Sequence, residues 1–198
     1  MSRPTAAFYF DLASPLAYLA AERVLQALPS PAEWRPALLA GDQSGVSRAE
    51  IGRRARELGL QPLRWPEPFP FDSSLAMRVA TYAASIGRAV PFAQAAFRQA
   101  FAGGHPLQDP DFVLIAAAAC EMHPTAVLRG AEMRSTAERL AATTAAALHA
   151  GVTEVPAVLV SEEVFMGEDM LERAAARMSA GARTGNSAHA GAARVSER

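Results

Sequence analysis

Ser14 lies in Phe8-Tyr9-Phe10-Asp11-Leu12-Ala13-Ser14-Pro15, where an apolar run gives way to a helix start. A serine there can do two kinds of work. Its oxygen can cap the helix by accepting from a backbone N–H of the first turn. Alternatively, its hydroxyl can donate to an anion gathered at the helix N-terminus, where unpaired N–H groups amount to about half a positive charge. A thiolate is such an anion, and thiol pKa values fall at sites of this kind. Position alone favours the plain cap. A nucleophilic serine would need a neighbouring base, and the chain has no Gly-x-Ser-x-Gly elbow.

Two further segments carry residues of interest. In Gly151-Val152-Thr153-Glu154-Val155-Pro156-Ala157, a proline opens an apolar strand to which it cannot donate a hydrogen bond. A cis Val155-Pro156 bond would turn the Val155 backbone outward to pair with an extended ligand. An ordinary trans proline at a strand edge is the alternative, and cis accounts for only about 5–6% of X–Pro bonds. In Phe165-Met166-Gly167-Glu168-Asp169-Met170, two carboxylates follow a glycine and open the last helix. They serve there as capping and dipole-compensating groups, or as partners for a ligand ammonium.

The elements that must position these residues follow from periodicity and breakers. Ala6 to Leu12 reads as a short buried strand. A helix begins at Pro15 and presents Leu16, Leu19, Ala20, Val24 and Leu28 on one face before Pro29. Glu33 to Leu39 is a second strand, with Pro36 best placed at an edge. Ser47 to Leu58 is a solvated helix, and Leu60 to Asp72, with Pro62, Pro66, Pro68 and Pro70, is an extended loop. Helical patterns then fill Ser73 to Ile86, Pro91 to Ala102, Asp109 to Met122, Pro124 to Gly130 and Glu132 to Ala150. Pro156 to Val160 and Glu163 to Phe165 form a closing hairpin, Glu168 to Met178 a last helix. Beyond Ala180 no apolar period remains, which reads as a disordered tail.

This order, β-α-β, helical block, β-β-α, is an α/β class chain with a thioredoxin-like fold interrupted by an all-helical insertion. The expected division is 1–40 and 151–180 for the thioredoxin-like part, 41–150 for the insertion and 181–198 for the tail.

Composition excludes several classes. All 19 cations among the 198 residues are Arg, which removes Schiff-base and Walker-type lysine chemistry. A formal net charge of -1 argues against a nucleic-acid surface. Apolar runs such as Val113 to Cys120 are too short to span a membrane, and the N-terminus lacks a secretory h-region. With one cysteine, Cys120, no internal disulfide or CxxC pair can form, so disulfide oxidoreduction is excluded and a reducing cytoplasm is the expected setting. Cys120 itself reads as a small buried hydrophobe.

Taken together the three segments resemble the 2-hydroxychromene-2-carboxylate isomerases and kappa-class glutathione transferases, in the DsbA-like branch of the thioredoxin superfamily. Phe10-Asp11-x-x-Ser14-Pro15-x-x-Tyr18-Leu19-Ala20 matches their N-terminal signature. Val152-x-x-Val155-Pro156 matches their Gly-Val-Pro turn, and Phe165-x-Gly167-x-Asp169 their Phe-Trp-Gly-Gln-Asp-Arg segment. The resemblance spans about residues 6–178 and reverses both readings, Ser14 toward an anion site and Pro156 toward cis. It implies glutathione, or another low-molecular-weight thiol, as cofactor. Ser14 would hold its sulfur as thiolate, Val155 would pair through its backbone with Pro156 in cis, and Asp169, with Glu168 beside it, would meet the γ-glutamyl ammonium. In the isomerases the thiolate adds to an unsaturated substrate, permits bond rotation and leaves.

The chain departs from that pattern at Glu154, Glu168, Met170 and Phe71-Asp72, and in the shortened loop Gly41-Asp42-Gln43-Ser44-Gly45. Arg35, Arg48, Arg53 and Arg64 are the cations that could compensate. Trp65 and Asp72, on the proline loop, are candidates for the substrate pocket. The expected function is a glutathione-dependent isomerase acting on a small aromatic substrate, without nucleic-acid or membrane partners and with a homodimer as one possible assembly. The alternatives are a kappa-like glutathione transferase and a non-catalytic thioredoxin-fold module binding a thiol or peptide.

Overall fold

The computed structural model describes residues 6–39 and 46–193, so the shortened loop 41–45 lies outside the described residues. β1 (Ala6–Phe10) is buried along its whole length, as an unbroken Ala-Ala-Phe-Tyr-Phe run requires of a central strand. The chain then turns into α1 (Pro15–Ala21) and α2 (Val24–Ala27) before β2 (Glu33–Pro36), which pairs parallel to β1 with Ala7 opposite Glu33 and Phe10 opposite Pro36. Between β2 and the next strand come α3 (Arg48–Glu57), α4 (Ser74–Ser85), α5 (Ala89–Phe101), α6 (Pro110–Ala118), α7 (Pro124–Glu132) and α8 (Arg134–His149). β3 (Ala157–Val160) returns antiparallel to β1, β4 (Glu163–Met166) folds back on β3, and α9 (Met170–Ala193) closes the chain. The sheet order is β2-β1-β3-β4, so Pro36 stands on an edge strand, where its missing N–H is tolerated. This is the thioredoxin-like layout with its helical insertion, and among the described residues no helix is long and apolar enough to cross a membrane.

One aromatic core ties the sheet to the insertion. Trp34 on β2 meets Phe8 and Phe10 edge-on at 5.0 and 5.8 Å between ring centroids. Phe10 also packs on Phe97 of α5 at 5.9 Å, and Tyr18 of α1 stacks on Phe101 at 5.7 Å.

Three helices differ from expectation, and the second strand stops at Pro36 rather than Leu39. The helix expected to run to Leu28 breaks after Ala21, where the Arg23 N–H bonds to the Ala20 carbonyl in a tighter turn before α2 resumes. α6 stops at Ala118 because Glu121 adopts a left-handed conformation (φ 60) and the Met122 N–H returns to the Ala117 carbonyl, a Schellman-type closure. The last helix continues past Met178 to Ala193, through the stretch read above as a tail. Alanine needs no apolar stripe to propagate a helix already anchored by buried Leu171 and Met178.

Candidate functional site

The turn from β1 into α1 is built around a buried carboxyl. Asp11 accepts from the Ala13 N–H at 2.9 Å and from the Ser73 hydroxyl at 2.7 Å. Burial pushes its pKa up, the two hydrogen bonds pull it back, and the neighbouring Asp72 carboxylate adds to the rise. Ser14, whose N–H donates to the Asp11 carbonyl at 3.0 Å, is thereby held in an extended conformation as the N-cap. Its oxygen accepts from the Ala17 N–H at 3.2 Å, while its own hydroxyl donates toward the Val155 carbonyl at 3.4 Å. That second bond is long for O–H···O, so the proton is easily redirected to a better acceptor. Ser14 is thus both a cap and an available donor.

Val155-Pro156 is cis, as the resemblance implied; Glu67-Pro68 and Phe69-Pro70 in the proline loop are cis as well. Next to this turn opens a cavity of about 380 Å³. Leu16, Leu19 and Ala20 of α1, with Leu58 beyond α3, supply apolar surface. Glu154, Val155 and Pro156 form a second wall, and Glu168 and Met170, entering α9, a third. Arg23, Arg54 and Glu57 add charge at the rim. All three departures that touch the expected thiol site, Glu154, Glu168 and Met170, therefore line the cavity without closing it.

The remaining candidates are distributed unevenly. Ser14 borders the cavity through Val155 rather than forming its wall. Glu168 lines it and pairs with Arg54 at 3.1 Å. Asp169 is not among the described lining residues; it pairs with Arg173 one turn along α9 at 3.3 Å. Trp65 and Asp72 are also absent from the walls. Trp65 joins an aromatic group with Phe69 at 5.0 Å, under the Arg48 guanidinium at 4.9 Å. Asp72 accepts from the Ser74 N–H at 2.8 Å at the start of α4, and hydrogen bonds from Ser74 hold its carboxyl below the usual range.

None of Arg35, Arg48, Arg53 and Arg64 lines the cavity. Arg35 bonds Glu33 and the Tyr9 hydroxyl, and Arg53 bridges Glu50 and Glu57 on its own helix. The cations at the rim are instead Arg23 and Arg54, which sequence reasoning missed. A signal existed: Arg54, Glu57 and Leu58 sit at i, i+3 and i+4 and so share one helix face. What that face meets is not a local property. Cys120 is buried, its thiol donating to the Ala116 carbonyl at 3.3 Å and its pKa pushed up by burial. His123 is occupied as the N-cap of α7, its Nδ1 accepting from the Thr125 N–H.

Residues 5–179 match the DSBA-like thioredoxin domain. The chain belongs to that family. Among solved structures of the DsbA-like fold, 2-hydroxychromene-2-carboxylate isomerase superposes with a TM-score of 0.72 at 19% identity, over 92% of this chain and 98% of that one. A probable DsbA oxidoreductase from Streptomyces coelicolor gives 0.69 at 17% identity, over 90% and 89% of the two chains. The cytosolic disulfide reductase DsbM from Pseudomonas aeruginosa, in a structure with GSH, gives 0.64 at 12% identity, over 90% and 99%. No curated protein matches the sequence. At these identities the likeness is one of fold, and the fold carries both isomerases and disulfide oxidoreductases; a chain with a single buried cysteine has no dithiol for the second chemistry.

Proposed function

We propose that this DsbA-like protein is a glutathione-dependent isomerase of the 2-hydroxychromene-2-carboxylate isomerase type, working in a reducing compartment such as the cytoplasm on an aromatic or chromene-like carboxylate. The observation that carries this reading is the Ser14 hydroxyl, half-buried and only loosely engaged, beside cis Val155-Pro156 at the edge of the cavity. A volume of about 380 Å³ lies within the roughly 300–1,000 Å³ usual for small-molecule sites. The cavity and the Ser14 hydroxyl at its edge suit the cofactor's parts: that hydroxyl for the sulfur, Arg23 and Arg54 for its carboxylates, and Glu154 for its ammonium.

Glutathione, when bound, supplies a sulfur nucleophile that adds reversibly to an unsaturated bond. The chain's residues do the rest. Ser14 turns its O–H from the Val155 carbonyl toward the sulfur and favours the ionised form there. Asp11 and Ser73 keep the turn that carries Ser14 in place. Leu16, Leu19 and Met170 exclude water from one side of the cavity, which strengthens that hydrogen bond.

Calorimetric titration with glutathione tests the reading. Binding is expected for the native chain and should be about tenfold weaker for Ser14→Ala, the loss of one hydrogen bond to a charged group. Absence of heat with glutathione, or full affinity in Ser14→Ala, removes the cofactor or the role of the hydroxyl. Turnover of an electrophilic aryl halide to a conjugate, in place of isomerisation, would assign the same site to glutathione transfer.

A further inference from the structure

The ion pair between Arg54 and Glu168 joins residues 114 apart in sequence on two walls of the cavity. Its two ends are held very differently. The Arg54 side chain is 21% exposed, and its Nε donates to Glu50 of the same helix at 2.9 Å, which fixes the guanidinium whether or not Glu168 is present. The Glu168 side chain is 70% exposed and enters from the turn after Gly167, whose φ of 89 suits glycine. Of the other carboxylates near the rim, Glu57 is engaged by Arg53 and Glu172 by Arg23, while Glu154 stands on the Val155-Pro156 wall. Arg54 therefore faces the cavity as an anchored cation covered by a removable anion.

We infer that Glu168 is a built-in occupant of Arg54 which a ligand carboxylate displaces, so that Arg54 selects carboxylate-bearing ligands and Glu168 sets how tightly they bind. The inference takes its ligand from the glutathione reading, and it assigns Glu168 a role opposite to that of a group holding a ligand ammonium. The physical balance favours exchange. Releasing Glu168 to water costs little, because an exposed ion pair contributes little to begin with. A carboxylate attached to a body that fills the apolar surface of Leu16, Leu19 and Leu58 gains burial that Glu168 does not. The incoming oxygen meets a planar guanidinium already oriented by Glu50, so little side-chain freedom is lost on binding.

Calorimetry with glutathione and with S-methylglutathione, which keeps both carboxylates but has no thiol, tests this. Glu168→Gln should bind both ligands about two- to fivefold tighter, the release of one exposed ion pair. Arg54→Gln should bind both about tenfold weaker, and the diethyl ester of glutathione should not distinguish Arg54→Gln from the native chain. Arg56→Gln, the same charge change at an exposed position of the same helix outside the cavity, should leave affinity unchanged. Weaker or unchanged binding in Glu168→Gln, equal loss in Arg56→Gln, or no binding of S-methylglutathione to any variant overturns the inference. Ser14→Ala separates the two ideas: it should weaken glutathione but not S-methylglutathione, and if it weakens neither, the thiolate role falls while the carboxylate exchange stands.

Discussion

Asp11 shows how a single side chain can be read from sequence for one purpose and serve another. It marks the end of the strand in the motif, yet its carboxyl is buried and bonded to Ser73 from the helical insertion, a partner 62 residues away. Because burial raises its pKa, the folded chain keeps this proton to a higher pH than the unfolded chain, whose carboxyl ionises near 3.8. The folded state therefore binds more protons as pH climbs from about 4, and stability falls through that window until the raised native value is passed. Asp11→Asn, whose Oδ1 can accept the same two hydrogen bonds, carries no such proton. Its stability relative to the native chain is expected to improve as pH rises from about 4 and then to level off, as urea denaturation at a series of pH values would measure. Parallel curves for the two chains would show that the carboxyl does not titrate between these states. Ser14 itself was legible because a cap and its proline are local signals. Arg54 was not, since nothing in its own helix says that Glu168 stands opposite.

At the level of elements, the starts of helices were the most readable features: Ser14-Pro15, Asp109-Pro110 and His123-Pro124 all open helices where a cap precedes proline. Helix ends were less so, because the break after α1 and the stop of α6 depend on single backbone turns. Packing distances between helices were not legible. Gly130 of α7 lies so close to α4 that a Cβ would fall 2.4–2.6 Å from the Tyr82 ring, and the carbonyl of Gly130 accepts from the Thr136 hydroxyl of α8 at 2.7 Å. Gly130→Ala is therefore expected to destabilise the protein by about 1–3 kcal/mol in urea unfolding, even though alanine is the better helix former by about 1 kcal/mol. A stabilised variant would show that α4 and α7 can separate freely.

At the scale of the whole molecule, the β-α-β and β-β-α segments and the helices between them share one core. Phe10 on Phe97 and Tyr18 on Phe101 join strand, first helix and insertion. Trp34 reports on the sheet and Trp65 on the proline loop beside Phe101, at 6.3 Å. Single-tryptophan variants made by Trp34→Phe and Trp65→Phe should each unfold with the same midpoint by fluorescence as the helices do by circular dichroism, as a two-state transition requires. Separate midpoints would mean that the insertion unfolds by itself. The order of strands and helices, the capped serine and the lack of a dithiol were determined by the sequence alone, because propensity, capping and residue type act over a few neighbouring positions. Which arginines reach the cavity, which acid each one meets, and the withdrawal of Trp65, Asp72 and Asp169 from its walls were decided only by the tertiary structure. Those outcomes depend on how α3 packs against α1 and how α9 packs against β3, β4 and α2, and such long-range contacts leave no mark on the local pattern of either segment.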